Sequence, residues 1–162
     1  MRRSAGAAAP PASPGLALHG FLPYRLSVLS EIVSRAFARH YQQRFGIGIA
    51  EWRVMAVLGE DPAQSTQDVI ERTQMDRVRV SRAVIRLADK GLLTRAPRPG
   101  DKRAQVLSLS RQGAVAYQAI VPLAQRLQHA LARSLTREEA AALDHLLAKL
   151  QAGAIALEGE AP

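Results

Sequence analysis

The sequence predicts a mainly α-helical fold with one small β-hairpin. Ala and Leu dominate the composition and only 4% of the residues are aromatic, which favours helices. Apolar residues recur at helical spacing along most of the chain. The spacing changes to alternation only between residues 92 and 110, where two short strands are expected. A chain of 162 residues is expected to form one domain.

The first predicted helix lies within YRLSVLSEIVSRAFARHYQQRFG and ends at Gly46, since glycine is common just after a helix C-terminus. Its apolar residues at helical spacing are Leu26, Leu29, Val33, Phe37 and Tyr41. Three further apolar residues widen this stripe, namely Leu22, Val28 and Ile32. One neighbouring helix does not require so wide a stripe, so we expect part of it to face another subunit.

Two shorter helices are expected next. The first lies within IAEWRVMAVLGEDPA and is stopped by Gly59 and Pro62. Its inward-facing residues are expected to be Trp52, Met55 and Leu58. The second lies within STQDVIERTQ, where Ser65 or Thr66 can accept hydrogen bonds as the N-cap. Its inward-facing residues are expected to be Val69 and Ile70.

A basic helix is predicted over residues 77–90. Asp76 is a suitable N-cap and Gly91 takes the position after the helix end. The inward stripe is expected to consist of Val80, Val84 and Leu87. Four arginines crowd the same helix, namely Arg77, Arg79, Arg82 and Arg86. Like charges this close repel one another, so we expect something negatively charged to lie against them.

The hairpin follows Gly91, with strands in LLTRAPRP and AQVLSLS and a turn at GDKR. Leu107 and Leu109 alternate with Val106 and Ser108, which predicts one mainly buried face. The remaining chain is helical again. These observations place a compact middle unit between an N-terminal helix and two C-terminal helices.

The first C-terminal helix is predicted over residues 111–134, with Pro122 kinking it. Its inward register is expected to contain Val115, Ala119, Leu123, Leu127 and Leu131. Thr136 and Glu139 then form a capping box that starts the last helix. The leucines of that helix are Leu143, Leu146, Leu147, Leu150 and Leu157.

The basic charge is concentrated in one segment. The chain has a formal net charge of +8, and the stretch from Arg72 to Arg103 holds ten Lys or Arg and three acidic residues, a net +7. A basic patch in an otherwise balanced protein is typical of nucleic-acid binding. Charge alone is equally consistent with a solvated basic face.

The sequence lacks residues that several classes of protein require. There is no cysteine, which excludes disulfides, thiolate zinc sites and cysteine nucleophiles. No apolar run reaches the roughly 18 residues of a membrane span, and the start MRRSAGAAAPPASPG has no secretory signal core. We expect residues 1–18 to be a disordered tail and the protein to be cytoplasmic, without a membrane partner. His40, His129 and His145 lack metal-ligand spacing, so neither metal nor cofactor is expected.

A helix, a short turn, a basic helix and a hairpin with a basic tip predict a winged helix-turn-helix. The major groove of DNA accepts one α-helix, whose N-terminal residues reach base edges. The preceding helix can hold a phosphate at its N-terminus. The hairpin tip carries Arg98, Lys102 and Arg103 and can reach the neighbouring minor groove. The arginine face is therefore expected to bind double-stranded DNA.

Three motifs in this order resemble the MarR family of bacterial transcription regulators. They are WRVMAVL in the second helix, VSRAVIRLADKGLLTR through the basic helix and first strand, and GDKRAQVLSLSRQG through the wing. The last matches the family's pattern of Asp-x-Arg, then Leu-Thr/Ser, then Gly, at Asp101, Arg103, Leu109, Ser110 and Gly113. The flanking helices fit as well, so the resemblance covers about residues 20–157.

The resemblance implies a homodimer held by segments 19–46 and 111–162, with segment 47–110 as the DNA-binding region. Two recognition helices about 34 Å apart then read a pseudo-palindromic operator. Such regulators are mostly repressors, nucleoid-associated while bound to DNA, and a small aromatic acid releases many of them. Phenolic, hydroxybenzoic and hydroxynicotinic acids fit this description.

We assign most of the exposed basic and polar residues of the middle unit to DNA. The full set is Ser65, Thr66, Gln67, Arg77, Val78, Arg79, Ser81, Arg82, Arg86, Arg98, Lys102 and Arg103. Arginine can pair with guanine through two hydrogen bonds, and Val78 can contact a thymine methyl group. The resemblance gives Asp101 a different role, which is to brace an arginine and shape the wing. A plain turn residue is the alternative for Asp101, and plain capping is the alternative for Ser65, Thr66 and Gln67.

Candidate effector-binding residues lie near the first two predicted helices. An aromatic carboxylate requires an arginine, a hydroxyl or histidine, and an aromatic wall. The residues that supply these groups are His19, Tyr24, Arg25, Ser27, Trp52 and Arg53. A tryptophan such as Trp52 is more often a core residue than the wall of a pocket.

Three other functions are alternatives to an effector-released DNA-binding regulator, and each would require different residues. An enzyme would be expected to carry a recognisable catalytic motif, and HExxH, GxSxG and a P-loop are absent. An RNA-binding or architectural protein would display aromatic residues for stacking, and segment 72–103 has none. A constitutive DNA-binding regulator without an effector remains open.

Overall fold

The predicted fold class is confirmed: the structure is mainly helical with one two-stranded antiparallel hairpin. It is a computed structural model. It describes residues 15–98 and 101–159, except for the side chains of residues 101–104. Residues 1–14 of the expected tail lie outside the described part, and Leu18–Gly20 form a short 3-10 turn.

The element boundaries follow the sequence signals closely. The elements in order are α1 Leu22–Phe45, α2 Ile49–Glu60, α3 Thr66–Thr73, α4 Arg77–Asp89, β1 Leu93–Arg98, β2 Asp101–Leu109, α5 Arg111–Ala132 and α6 Arg137–Gly159. Gly46 and Gly91 follow α1 and α4 with φ angles of 64° and 69°, a left-handed conformation that favours glycine. Ser65 is the N-cap of α3 and Thr66 begins the helix.

Helix α2 lies at the centre of the folded unit, in contact with α1, α3, α4, α5 and β2. Its residues Val54, Met55 and Leu58 are almost completely buried. The inward stripe of α4 is confirmed as well, since Val80, Val84 and Leu87 are buried in the same core. The recognition helix is thus held by apolar contacts on one side, which leaves its other side free.

One ion pair between a buried glutamate and an exposed lysine joins the ends of three helices. Glu51, only 4% exposed, accepts a hydrogen bond from the backbone N–H of Gly48 at the start of α2 (2.6 Å). Its other carboxylate oxygen lies 2.9 Å from the Lys90 ammonium, just past the end of α4. Lys90 also donates to the carbonyl oxygen of Gly46, just past the end of α1 (2.7 Å).

The hairpin is anchored at its base. Leu93 pairs with Leu109 and Pro97 with Gln105, and the register shifts between Pro97 and Arg98. The loop before α3 adds a third, minimal strand, because Gln64 exchanges two backbone hydrogen bonds with Leu107 of β2 (3.1 and 2.7 Å). The expected alternation along β2 is wrong at one position, since Val106 and Leu107 are both buried.

Gly59 does not end α2 as the sequence suggested; the helix continues to Glu60. Instead, Gly59 gives room to an aromatic ring, since a Cβ there would lie 2.5 Å from Tyr117 of α5. Tyr117 stacks on Trp52 (5.8 Å between ring centroids), and Trp52 packs on Tyr41 (5.3 Å). This aromatic column joins α5, α2 and α1.

The predicted register of α5 is partly wrong. Val115 and Leu131 are 63% and 54% exposed, whereas Ile120 is fully buried. The first turn sets this rotation: Ser110 caps the helix by accepting from the Gly113 N–H (2.9 Å), and Gly113 packs directly on the carbonyl group of Leu92. The helix includes Pro122 as expected.

The two terminal helices leave apolar surface uncovered in this single chain. The capping box of Thr136 and Glu139 is confirmed, but α6 has no buried residue. Its exposed apolar residues include Leu143, Leu146, Leu147 and Leu150, and those of α1 include Leu22, Leu26, Leu29 and Ile32. By length and composition alone, α6 could also cross a membrane (mean hydropathy 1.2 over its best window), although Asp144, His145 and Lys149 interrupt it.

The Gly113→Ala variant is expected to be less stable by about 1–3 kcal/mol or more, since its Cβ would overlap a backbone carbonyl that cannot move aside. The matched control is Gly153→Ala in α6, where nothing lies within 4 Å of the added Cβ. There alanine should raise stability by about 0.5–1 kcal/mol. Urea unfolding at one fixed protein concentration measures both, and equal effects would contradict the assigned role of Gly113.

Candidate nucleic-acid interface

Helix α4 presents an outer ridge opposite the core. Asp76 begins the helix, as expected, by accepting from the Arg79 N–H (2.8 Å). At 100° per residue, the side chains that point directly away from the buried stripe are those of Val78, Arg82, Ile85 and Asp89, all of them exposed. Both ends of the recognition helix are thus fixed while its outer ridge faces solvent.

The arginines of α4 are divided between two flanks. Arg79 and Arg86 lie on the flank nearer the start of α2, while Arg77 and Ser81 lie on the other. Arg79, Arg82 and Arg86 line a cavity of about 280 Å³ together with residues 48–51 at the α2 N-terminus. The N-terminal end of a helix carries partial positive charge, so this flank is strongly electropositive.

Helix α3 supplies the polar candidates. Ser65 caps the helix through a capping box with Asp68 (2.8 and 3.1 Å). Gln67 is exposed and donates to Glu71 (2.9 Å), and its amide oxygen lies 3.4 Å from the Arg77 guanidinium. The capping hydrogen bonds at the start of α3 are therefore present in the structure. Gln67 and Arg77 also form a polar pair where α3 and α4 meet.

Arg98, at the end of β1 next to the wing tip, lies close to α3. Its guanidinium lies 4.0 Å from the Asp68 carboxylate. Hydrogen bonds from the side chain and backbone of Ser65 lower the pKa of Asp68, and the charge of Arg98 lowers it further. The side chains of Asp101, Lys102 and Arg103 lie outside the described residues.

Sequence reasoning missed several residues of this site. Asp68 braces the wing, and the Ser-x-x-Asp spacing at Ser65 was the available signal. Arg95 is exposed on β1 and adds positive charge to the wing. Arg72 was counted in the basic segment, yet it pairs with Glu60 at 2.5 Å, so its charge is already balanced.

The six effector candidates do not form one pocket within this chain. Tyr24 and Arg25 line an open apolar groove on the first turns of α1, and His19 and Ser27 are exposed close to them in sequence. Trp52 instead belongs to the aromatic column between Tyr41 and Tyr117. That assignment of Trp52 conflicts with its proposed role as a pocket wall.

Arg53 alone of the six faces a polar cavity beside the α4 flank. This cavity measures about 260 Å³ and is lined by Ser30, Glu31, Ser34, Arg35, Ala38, Ile49, Arg53 and Arg79. Arg53 donates to the Ser34 hydroxyl (3.2 Å), which fixes α2 to α1. Arg79 lines this cavity as well as the one along α4, so the two are adjacent.

Comparison with known proteins gives a consistent result. A sequence model described as MarR family matches residues 45–104. The HTH-type transcriptional repressor NicR of Pseudomonas putida is 25% identical over 128 residues, which cover 75% of this chain and 81% of NicR. A MarR/EmrR family transcriptional regulator from Acinetobacter superposes with a TM-score of 0.77 at 26% identity, over 82% of this chain and 93% of its own.

A third similar structure is BpsR of Bordetella bronchiseptica, whose structural study concerns regulation of DNA binding by 6-hydroxynicotinic acid. Its TM-score is 0.67 at 24% identity, over 78% of this chain and 98% of BpsR. At 24% sequence identity, this similarity is evidence for a shared fold.

The recognition helix, the wing and the capped α3 define a winged helix-turn-helix transcription regulator. The chain is similar to MarR family regulators, through the family model over residues 45–104 and through the fold of the Acinetobacter regulator.

The Asp68→Asn variant tests the brace between α3 and the wing. A lowered pKa means that the carboxylate stabilises the fold above its unfolded pKa and stops doing so as the pH falls through its folded pKa. Because the side chain is 42% exposed, solvent screens part of the effect. We expect the free energy of unfolding of Asp68→Asn to be lower than that of the wild-type protein by about 0.5–1 kcal/mol at pH 7. This difference should shrink below about pH 4.

Urea unfolding of both proteins from pH 7 down to pH 3 measures this difference. Asp144→Asn, an exposed acid on α6, is the control and should show no comparable pH-dependent loss. A pH-independent difference for Asp68→Asn would rule out the ionic contribution.

Proposed function

We propose that this protein is a homodimeric repressor that acts in the cytoplasm, binds a pseudo-palindromic operator and is released by a small aromatic acid. The observation that carries the DNA-binding part is the outer face of α4, where Arg79, Arg82 and Arg86 are exposed beside the α2 N-terminus. The regulatory part is supported by an arginine-lined cavity that adjoins this face.

The arginines have two proposed tasks. Arg82 lies on the outer ridge and reaches base edges, whereas Arg77, Arg79 and Arg86 lie on the flanks and contact phosphates, which receive half or more of such hydrogen bonds. Val78 contacts a thymine methyl group and Ser81 a base edge or phosphate. Ser65, Thr66 and Gln67 hold a phosphate at the start of α3.

The wing completes the contact. Arg98, next to the wing tip, lies 4.0 Å from the Asp68 carboxylate, so its proposed contribution to DNA binding is mainly to position the wing. Lys102 and Arg103 at the tip reach the minor groove, and Asp101 braces the wing tip. Arginine is favoured in a narrow minor groove because the negative potential there is enhanced.

The dimer uses the terminal helices, in segments 19–46 and 111–162, around the DNA-binding segment 47–110. Support comes from the leucines of α6 and of the first half of α1, which are exposed in one chain. Large contiguous exposed apolar patches mark interaction surfaces. A second copy of the chain covers them better than a membrane does, because Asp144 and Lys149 would be costly in a bilayer.

The proposed effector is a hydroxylated benzoic or nicotinic acid, and its site is the cavity at Arg53. Arg53 and Arg35 can bind a carboxylate, and Ser34 can bind a ring hydroxyl. The regulation of BpsR by 6-hydroxynicotinic acid and the repressor name of NicR support this class of ligand. Arg79 is shared with the α4 flank, so a ligand here competes with DNA for the same guanidinium.

The primary test titrates the protein into a labelled duplex from the region upstream of its own gene, at physiological salt, with excess unrelated DNA. We expect binding that survives the competitor, because base contacts add to the salt-sensitive phosphate contribution. One acid from a panel of hydroxylated aromatic acids should abolish it. Binding that disappears with competitor, on this region and on genomic fragments, would contradict a sequence-specific regulator.

The Arg53→Ala variant separates an effector-released repressor from a constitutive regulator. It should retain operator affinity and lose the response to the acid, since Arg53 points to the cavity and not to the α4 ridge. Its matched control is Arg25→Ala on the α1 groove, which should keep the response. If Arg25→Ala loses the response and Arg53→Ala keeps it, the effector site lies in the α1 groove instead. If the wild-type protein responds to no acid, the constitutive regulator is favoured.

A further inference from the structure

The outer ridge of α4 carries two apolar side chains that the core does not need. Val78 is 57% exposed and Ile85 is 48% exposed. The core contacts of this helix are made by Val80, Ala83, Val84 and Leu87 on the opposite side. Polar side chains at 78 and 85 would therefore leave the packing of α4 intact.

The two residues are seven positions apart, which places them on one face two turns from each other. At about 1.5 Å per residue their separation along the helix is about 10 Å. This corresponds to about three base-pair steps of about 3.4 Å in a major groove. Arg82 lies between them on the same ridge.

Asp89 marks the end of this reading surface. It is exposed one turn beyond Ile85, on the same ridge, and a carboxylate is repelled by DNA phosphates. The part of the ridge that can enter the groove therefore runs from Val78 to Ile85. Asp76, at the other end, is occupied with capping the helix.

We propose that Ile85 is a second thymine reader, so that each operator half-site contains two thymine methyl groups about three base pairs apart. Thymine is the base that presents a methyl group in the major groove, and apolar side chains recognise it by contact. Arg82 reads a guanine between them through two hydrogen bonds. This proposal rests on the proposed operator binding and specifies what the operator contains.

The first experiment selects binding sites from a random duplex library with the wild-type protein and with Ile85→Ala and Val78→Ala. The wild-type sites should show two thymines about three base pairs apart in each half-site. Each variant should lose the preference at one of them and keep the other. Leu16→Ala, at an exposed leucine outside the proposed DNA-binding and dimerisation segments, is the matched control and should select the wild-type sites.

The second experiment replaces each of the two thymines by deoxyuridine, which removes the 5-methyl group and leaves the base pair intact. The wild-type protein should lose about fourfold in affinity per half-site at each position, the value expected for one buried methyl group. Ile85→Ala should not distinguish thymine from deoxyuridine at its own position, yet still do so at the Val78 position.

The outcomes separate this proposal from the proposed function. If the wild-type protein enriches no sequence, operator binding itself fails, and this inference fails with it. If sites are enriched but Ile85→Ala selects the same sites, or deoxyuridine has no effect at the paired position, only the role of Ile85 is overturned. We expect the variants to have equal melting temperatures, because both side chains are exposed. Equal melting temperatures would exclude a folding defect as the cause of altered site selection.

Discussion

The buried carboxylate of Glu51 is the constraint on which the arrangement of the helices depends. Among the described residues it is the one charged side chain in the core, and an unpaired charge there would be strongly destabilising. It is satisfied by the Gly48 N–H and by Lys90, which also binds the Gly46 carbonyl oxygen. The start of α2 and the ends of α1 and α4 must therefore stay together, so the recognition helix has one orientation relative to α1.

The recognition helix tolerates its clustered arginines because other interactions hold it. Its buried valines and Leu87 attach it to α2, and Asp76 accepts a hydrogen bond from the backbone N–H of Arg79 at its start. In the free protein, solvent and salt screen the repulsion among the arginines. When DNA is bound, the attraction between the arginines and the phosphates outweighs this repulsion. Stability and DNA affinity are thus located on opposite faces of one helix, and substitutions on one face leave the other largely unchanged.

Local signals in the sequence were sufficient for most of the fold. The caps at Ser65, Asp76 and Thr136 and the left-handed Gly46 and Gly91 lie where the residue types predict them, since these depend on neighbours within four residues. The errors concern long-range packing. The rotation of α5 depends on a contact between Gly113 and Leu92, and Gly59 is required by Tyr117. Within one chain, the six effector candidates do not line a single cavity, and Trp52 packs between two aromatic partners.

The same long-range contacts would give the proposed effector a physical route to the DNA-binding face. A ligand between Arg53 and Arg79 touches α2 and α4 as well as Ser34 and Arg35 of α1. It can act by engaging Arg79 directly, or by shifting α1 against α2 where the Arg53–Ser34 hydrogen bond joins them. The second route reaches α4 through Lys90, since this residue binds both Gly46 and Glu51. Because two recognition helices must fit half-sites of fixed spacing, a small rotation of α1 in a dimer is enough to misplace one of them. The proposed release of DNA would therefore require no unfolding, only a ligand that binds the displaced arrangement more tightly.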